Sequence, residues 1–285
     1  MKAQSDVQSQ KSEHYDSLNW VGMSKIQTMI RLMANELPIA VPTLLDLGVD
    51  LAENNRGIHM SRLYRLHQEK ILNQVLSDKN LAEFAADCLA SQKQTSQNFA
   101  CKLKLNWPMQ TMSLKSLLPG FRNYPVEVIF EKTAKDEKLW LQFEVLYSST
   151  CPQSAGLAME VLKKQPGSLD RLPATPHAQR SRAVVQLQLT QVNQQVIETY
   201  ILQVEQALGT PVQTAVKKED EMRFAELNAE NLMFCEDAAR KIAGALVKNQ
   251  LGFKIFCEHE ESLHSHNASS LKQYQFCGPQ LLQFG

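Results

Sequence analysis

Cys151 stands in "STCPQS", directly after a stretch of alternating apolar residues and directly before a proline. No second cysteine lies two or three residues away. Three roles are open to it: a small hydrophobe at a strand end, half of a disulfide, or a working thiolate. A thiolate needs a cation, a metal or a helix N-terminus to stabilise it. Taken alone, a cysteine here reads first as a small hydrophobe; "SAGLAMEVLKK" follows and puts Cys151 just ahead of a helix start, which adds weight to the reactive or ligating role. His177 lies in "ATPHAQRS", and His264 and His266 stand two apart in "ESLHSHNAS". If that last stretch is extended, both imidazoles share a face, as a metal ligand and its neighbour would. The alternative is a pair of exposed loop histidines. The acidic stretches "KKEDE" (217–221) and "FCEDAAR" (234–240) supply Glu219, Glu221 and Glu236. Most such glutamates are solvated helix residues, but Glu236 adjoins Phe234 and Cys235, close to an apolar stripe, where a carboxylate wants a partner.

One cysteine, a few histidines and one or two glutamates can make an open zinc-like site, with three protein ligands and a water in the fourth position. The metal would bring the pKa of that water from 15.7 to about 7. Spacing alone does not assemble the site. A fold must bring Cys151, His177, Glu221, Glu236 and His264 together.

The chain has 285 residues, enough to bury a large core. Apolar residues are 44% and charged ones 21%, a globular balance. Basic and acidic residues number 30 each, which argues against a coat for nucleic acid or for an anionic membrane. No apolar run approaches the ~18 residues of a membrane helix. The first 17 residues are polar, read as a disordered tail, and lack the core of a secretion signal. The six cysteines are widely spaced with no Cys-x-x-Cys, so a reduced, cytoplasmic setting is expected and most of them read as buried hydrophobes.

Period-two alternation marks the strands. The apolar faces are Cys101, Leu103, Leu105 and Trp107; Leu139, Leu141, Phe143, Val145 and Tyr147; Val185, Leu187 and Leu189; and Ile26, Ile30 and Leu32. "VEVIF" and "FKIFCEH" are shorter cases. Ser61 is the expected N-cap of a helix with stripe Leu63, Leu66, Ile71 and Val75, and another helix follows Asp78. Val196, Tyr200, Val204 and Ala207 form a stripe that Gly209-Thr210-Pro211 ends. Residues 231–248 read as a last helix, with Leu232, Cys235, Ala239, Ile242 and Leu246 on its stripe. The order is strand-strand-helix-helix-strand-strand, used twice, which makes an α+β protein with antiparallel sheets. Modules of 18–135 and 136–285 follow, tightly joined. The longest irregular stretch spans 165–181.

With these residues in view, "RGIHMSR", "STCPQS", "PHAQRS", "GTPVQTAVKKEDE", "ENLMFCEDAAR" and "ESLHSHNA" together resemble the type IB GTP cyclohydrolases I, over nearly the whole chain. The resemblance implies a tandem tunnelling fold (T-fold) of two ββααββ modules, with helices packed on one face of the sheet. It implies a homotetramer with active sites at subunit interfaces. The implied reaction takes GTP and water to 7,8-dihydroneopterin triphosphate and formate, at the entry to folate and pterin cofactors, with metal-bound water attacking guanine C8. Carried over by residue, Cys151, Glu221 and His264 would hold one divalent metal (zinc, manganese or iron(II)), with Glu219 competing for the carboxylate position. His177 and His266 would move protons. Glu236 would anchor the guanine ring, and Arg180, Lys217 and Arg62, with Arg182, Lys218 and Arg56, are the cations open to the triphosphate.

Two departures stand out. Many relatives carry Cys-Pro-Cys-Ser where position 153 here is Gln, and the segment between Cys151 and His177 is longer. Other readings on the same fold are a nitrile reductase acting on a 7-deazaguanine, with Cys151 as covalent nucleophile, and a non-catalytic purine- or pterin-binding protein. The first needs no His264/His266 pair and a Lys-rich cofactor motif that is not evident. The full set of Cys, His and Glu speaks against the second.

Overall fold

The computed structural model describes residues 16–34, 37–92, 95–164, 172–249 and 252–282, with residues 8, 10, 11 and 14. Most of the polar tail, and residues 165–171 of the long irregular stretch, lie outside the described residues. Among the described residues, one antiparallel sheet has eight strands in sequential order: β1 (Leu18–Ala34), β2 (Leu37–Leu51), β3 (Phe99–Met112), β4 (Pro119–Lys132), β5 (Glu137–Thr150), β6 (Ala178–Leu189), β7 (Phe253–His259) and β8 (Ala268–Tyr274). α1 (Met60–Lys70) and α2 (Asp78–Ser91) separate β2 from β3. α3 (Pro152–Lys164) separates β5 from β6. α4 (Gln194–Leu208), α5 (Lys218–Glu230) and α6 (Cys235–Leu246) separate β6 from β7.

The alternation read from the sequence decides which face is covered. Leu103, Leu105 and Trp107 of β3, Leu141, Phe143 and Val145 of β5, and Val185 and Leu187 of β6 are buried in one core with Phe84, Ile197, Ile201 and Ile242 from the helices. Their strand neighbours form a polar opposite face, where Lys104 meets Glu127 at 3.3 Å and Arg182 bonds Glu258 at 2.7 Å. No described helix is long and apolar enough to cross a membrane.

Several elements differ from the reading of the sequence. α1 begins at Met60, not after Ser61, because Gln92 clamps the His59 backbone on both sides, accepting from its N–H at 2.9 Å and donating to its C=O at 3.4 Å. It ends at Lys70, since the chain beyond pairs with β1: Asn73 N–H donates to Met29 and Arg31 N–H to Gln74, each at 2.9 Å. Val75 therefore leaves the stripe and is exposed. In α4 the buried stripe is Ile197, Ile201, Val204 and Leu208, one residue on from Val196 and Tyr200, which flank it. Gly209 ends α4 in the left-handed conformation at φ 78, as expected of a C-cap glycine. α3 and α5 are additional to the twice-used unit, β8 supplies the last strand of its second copy, and β6 starts at Ala178, inside the stretch read as irregular.

The expected module boundary falls in the β4–β5 turn, and the sheet runs on through it from Lys132↔Glu137 to Val126↔Phe143. Buried charge also crosses it. Arg122 and Tyr124 of β4 both donate to Glu205 of α4 at 2.7 Å, and Arg122 donates further to the Val212 carbonyl at 2.9 Å. Burial pushes the Glu205 carboxyl up from its ordinary value, and Arg122 and Tyr124 pull it part of the way back. A buried pair of this kind costs much to break and little to replace whole. Arg122→Met alone should lower unfolding stability by about 3–5 kcal/mol. Adding Glu205→Leu and Tyr124→Phe should recover most of that loss in urea denaturation.

Candidate active site

Three neighbouring strands carry the helix-side face from apolar to polar as they approach one end of the sheet. The register sets Val145 beside Ala183 and Cys257, then Tyr147 beside Ser181 and His259, then Ser149 beside Gln179. One more step along the same faces reaches Cys151 and His177, just outside the strands, and Glu261 after β7. Side chains that would continue the core are thereby replaced by hydroxyls, an amide, imidazoles, a thiol and a carboxylate.

Cys151 sits at the N-terminus of α3, half-buried. Its carbonyl accepts from Ala155 N–H at 3.0 Å, and its Sγ accepts from Ser154 N–H at 3.5 Å. Pro152 opens the helix, where its missing N–H costs nothing. Negative charge is favoured at such a position. Cys151 N–H donates to the His177 carbonyl at 3.2 Å, and His177 N–H donates to Ser154 Oγ at 3.1 Å. The thiol and the imidazole are thus held through the backbone, although 25 residues of chain separate them. From the other side, Met233 N–H donates to Thr150 O at 3.1 Å, and Asn228 Oδ1 accepts from Ser148 Oγ at 2.6 Å. These bonds lay the α5–α6 connection against the end of β5.

A cavity of about 410 Å³ opens here, walled by Cys151, Ser154, His177, Gln179, Phe234, His259, Glu261, His264 and His266 among others. The pair at 264 and 266 is not on a strand; it lies in the β7–β8 loop. The two rings still point the same way, stacked with centroids 5.0 Å apart. Within the wall His259 is buried, with Nε2 2.9 Å from the Tyr147 hydroxyl. Burial lowers its pKa to about 4, against the opposing pull of Glu236. Glu236 is in the first turn of α6, beside the cavity residue Phe234. It is exposed rather than set into the stripe, and its own backbone N–H and the Cys235 thiol hold its carboxyl below the ordinary value.

The remaining expected residues do not join this wall. Glu219 and Glu221 are exposed in the first turn of α5. The acid of "KKEDE" that the fold buries is Asp220 between them. Burial alone would push its carboxyl up. Bonds from the Ser116 hydroxyl and from the backbone N–H of Lys217, Ser116 and Lys115 outweigh that and hold it down. Lys217 is the exposed N-cap of α5, and Arg62 donates to the Ser91 carbonyl at 2.7 Å. Arg180 is exposed on β6 and alternates with Gln179; Arg182 is engaged with Glu258 and Glu144 on the polar face. Among the described residues, no three of His, Cys, Asp and Glu lie close enough together to hold one metal ion. The donor set suits a metal in kind, with a thiol, imidazoles and a carboxylate on one cavity, while the described residues of one chain do not close a three-ligand cluster. Gln179, His259 and Glu261 belong to the wall without having been singled out in the sequence. A larger cavity, about 780 Å³, lies on the opposite face around Lys104, Glu127, Gln142 and Glu144. It has no Cys or His, its Lys104 pairs with Glu127 and its Glu144 with Arg182, so the smaller cavity is the chemical one.

The family model described as type I GTP cyclohydrolase folE2 matches residues 5–270. The chain is 37% identical to the GTP cyclohydrolase FolE2 of Pseudomonas putida (strain GB-1), over 95% of this chain and 96% of that one. It is 36% identical to the GTP cyclohydrolase FolE2 of Pseudoalteromonas atlantica, over 89% and 90%. Among solved structures, the uricase from Arthrobacter globiformis superposes with a TM-score of 0.55 at 7% identity, over 92% of this chain and 96% of that one. That likeness is one of fold alone, and the fold is the tandem T-fold.

His259 gives the stability a pH dependence. An unfolded imidazole takes a proton near 6.5, and folded His259 resists protonation down to about 4. The unfolded chain therefore binds the extra proton in that window, and stability falls as pH drops from 6.5 towards 4, by up to about 1.4 kcal/mol per pH unit. His259→Gln, which does not titrate, should show a shallower decline over the same window in urea midpoints, with little difference above pH 7.

Proposed function

The chain belongs to the type I GTP cyclohydrolase FolE2 family and so acts as a GTP cyclohydrolase in folate biosynthesis; we propose that the Cys151 cavity is where it converts GTP and water to 7,8-dihydroneopterin triphosphate and formate. The observation that carries the placement is Cys151 at the N-terminus of α3, facing His177, His264 and His266 across one cavity. We place the chain in the bimodular type IB branch, with Cys151 and His264 as ligands of a divalent metal and Glu221 as their partner ligand. A bound divalent ion at this site supplies a water activated for attack at neutral pH.

The protein's own groups do the rest. Guanine C8 must face Cys151 and His177, with the ring edge towards Glu236. The Glu236 carboxylate accepts from guanine N1–H and the 2-amino group, two bonds that only guanine offers in that arrangement. Phe234, exposed beside it, offers an apolar face to the ring. His177 moves a proton at the imidazole nitrogen of the opening ring, and His266 serves the later transfers as formate leaves. Lys217, Arg180 and Arg62 are the cations for the triphosphate, and from their positions they would serve it across subunits rather than within one cavity.

The cavity rim supports assembly. Leu157, Phe234 and Leu263 are exposed around it, and Leu271 is exposed on β8. Among the described residues β8 pairs on one side only, while the outer edge of β1 is taken at Met29–Arg31 by residues 73–75, so β8 and the rest of β1 are the sheet edges open to another copy. A homotetramer with sites at subunit interfaces covers these surfaces and lets a second chain complete the ligand set.

Purified with zinc, manganese or iron(II) and given GTP, the protein should release formate and, after oxidation, fluorescent neopterin. No product with any of these metals would sink the proposal. Cys151→Ala should lose metal and activity together; a variant that kept its metal and lost only turnover would make Cys151 a nucleophile instead. Glu236→Gln should lower kcat/KM for GTP by about 100-fold or more, since hydrogen bonds to a charged group are each worth about 1.5–3 kcal/mol.

A further inference from the structure

Gln179 is a buried polar residue on β6, and both ends of its amide have partners. Its Nε2 lies 2.9 Å from Ser149 Oγ and 3.4 Å from Glu261 Oε1, and its Oε1 lies 3.2 Å from His177 Nδ1. Ser149 Oγ is itself 2.8 Å from Ser181 Oγ, so the amide sits in a fixed hydroxyl frame. The carboxylate decides which end of the amide is which. Glu261 can only accept, so the amide atom facing it must be the NH₂. The carbonyl oxygen then faces His177. An amide oxygen carries no proton, so Nδ1 of His177 must donate. Glu261 Oε2 is 3.9 Å from that nitrogen, beyond hydrogen-bond reach, and does not replace Gln179 in this role.

We infer that Gln179 is a positioning residue that fixes the tautomer of His177, holding the proton on Nδ1 and leaving Nε2 as the lone-pair end in the cavity. The ring orientation is then set from two sides: the backbone of His177 is tied to Cys151 and Ser154, and its Nδ1 to Gln179. A proton-transfer imidazole with the wrong tautomer presents N–H where a base is needed, which is costly in turnover and cheap in binding. The inference deepens the proposed function, because it takes His177 as working on the substrate beside Cys151.

Magic-angle-spinning ¹⁵N NMR at pH 8 on the full-length assembled protein, labelled in histidine and with His177 assigned against His177→Asn, reads the tautomer directly. Expected is a proton on Nδ1 of native His177, and loss of that preference in Gln179→Leu. The same variant should lower kcat about 10- to 100-fold, with KM for GTP within about twofold. The combined change Gln179→Glu with Glu261→Gln rebuilds the chain of bonds, since an amide at 261 donates to a carboxylate at 179, which accepts from Nδ1. It should restore the tautomer and most of kcat. A proton on Nε2 in the native protein would overturn the inference, and so would a folded Gln179→Leu protein with native kcat. Should Gln179→Leu not fold, the native spectrum still decides. Failure of the native protein to release formate would sink the proposed function and leave the tautomer result standing.

Discussion

The antiparallel register of β5 against β6 is the constraint on which the rest depends. Because side chains alternate with period two, pairing Tyr147 with Ser181 and Ser149 with Gln179 puts Cys151 and His177 on one face. A slip of one residue would turn His177 and Gln179 to the polar face and bring Arg180 and Arg182 into the core. The apolar rows further along, from Phe143↔Val185 to Leu139↔Leu189, make that slip costly, since each would expose its core side chains. The hydrophobic body of the sheet thus holds the register, and its polar end uses it.

The helices fix the same end from outside. Asp220 binds the β3–β4 turn at Lys115 and Ser116 to the first turn of α5, and Asn228 and Met233 then hold that segment against Ser148 and Thr150. α6 begins two residues after Met233, which sets Glu236 at the cavity edge. The Arg122–Tyr124–Glu205 cluster performs the matching task between the two halves of the sheet. Its carboxyl is more costly to bury than its partners recover, so its value lies in location more than in net stability.

Much of this was legible in the sequence. Alternation located six of the strands, and the apolar faces it named on β1, β3, β5 and β6 are the ones turned to the core, because each segment has one dry and one wet face. Cys151 before a helix start was legible from the proline and the apolar spacing that follow it. Gln179 and Glu261 were missed for one physical reason. Apolar alternation stops where the strand face turns polar, so the first residues of β6, from Ala178, fall within the stretch that reads as irregular. Carrying the period two residues at a time, from Val185 back to His177 and from Cys257 on to Glu261, would have found them. The α4 stripe shifted by one because Glu205, buried by Arg122 and Tyr124, reads as a solvent residue in the sequence. β8 was hidden by its lack of a dry face: Ser269, Leu271 and Lys272 are exposed on an open edge. For Glu221 nothing local in the sequence says whether it reaches a cavity, and in the fold it is exposed in the first turn of α5.

The central claim is that a single cavity, built at the polar end of β5–β7, binds metal and guanine together. A crystal structure of the protein with zinc and a non-hydrolysable guanine nucleotide tests it most directly, with the metal located by anomalous scattering. Expected is an anomalous peak about 2.3 Å from Cys151 Sγ, at the distance of a zinc–thiolate bond. The guanine edge should lie on Glu236, and C8 should be turned towards His177. A metal bound away from Cys151, or a nucleotide seated in the cavity around Lys104 and Glu144, would contradict it.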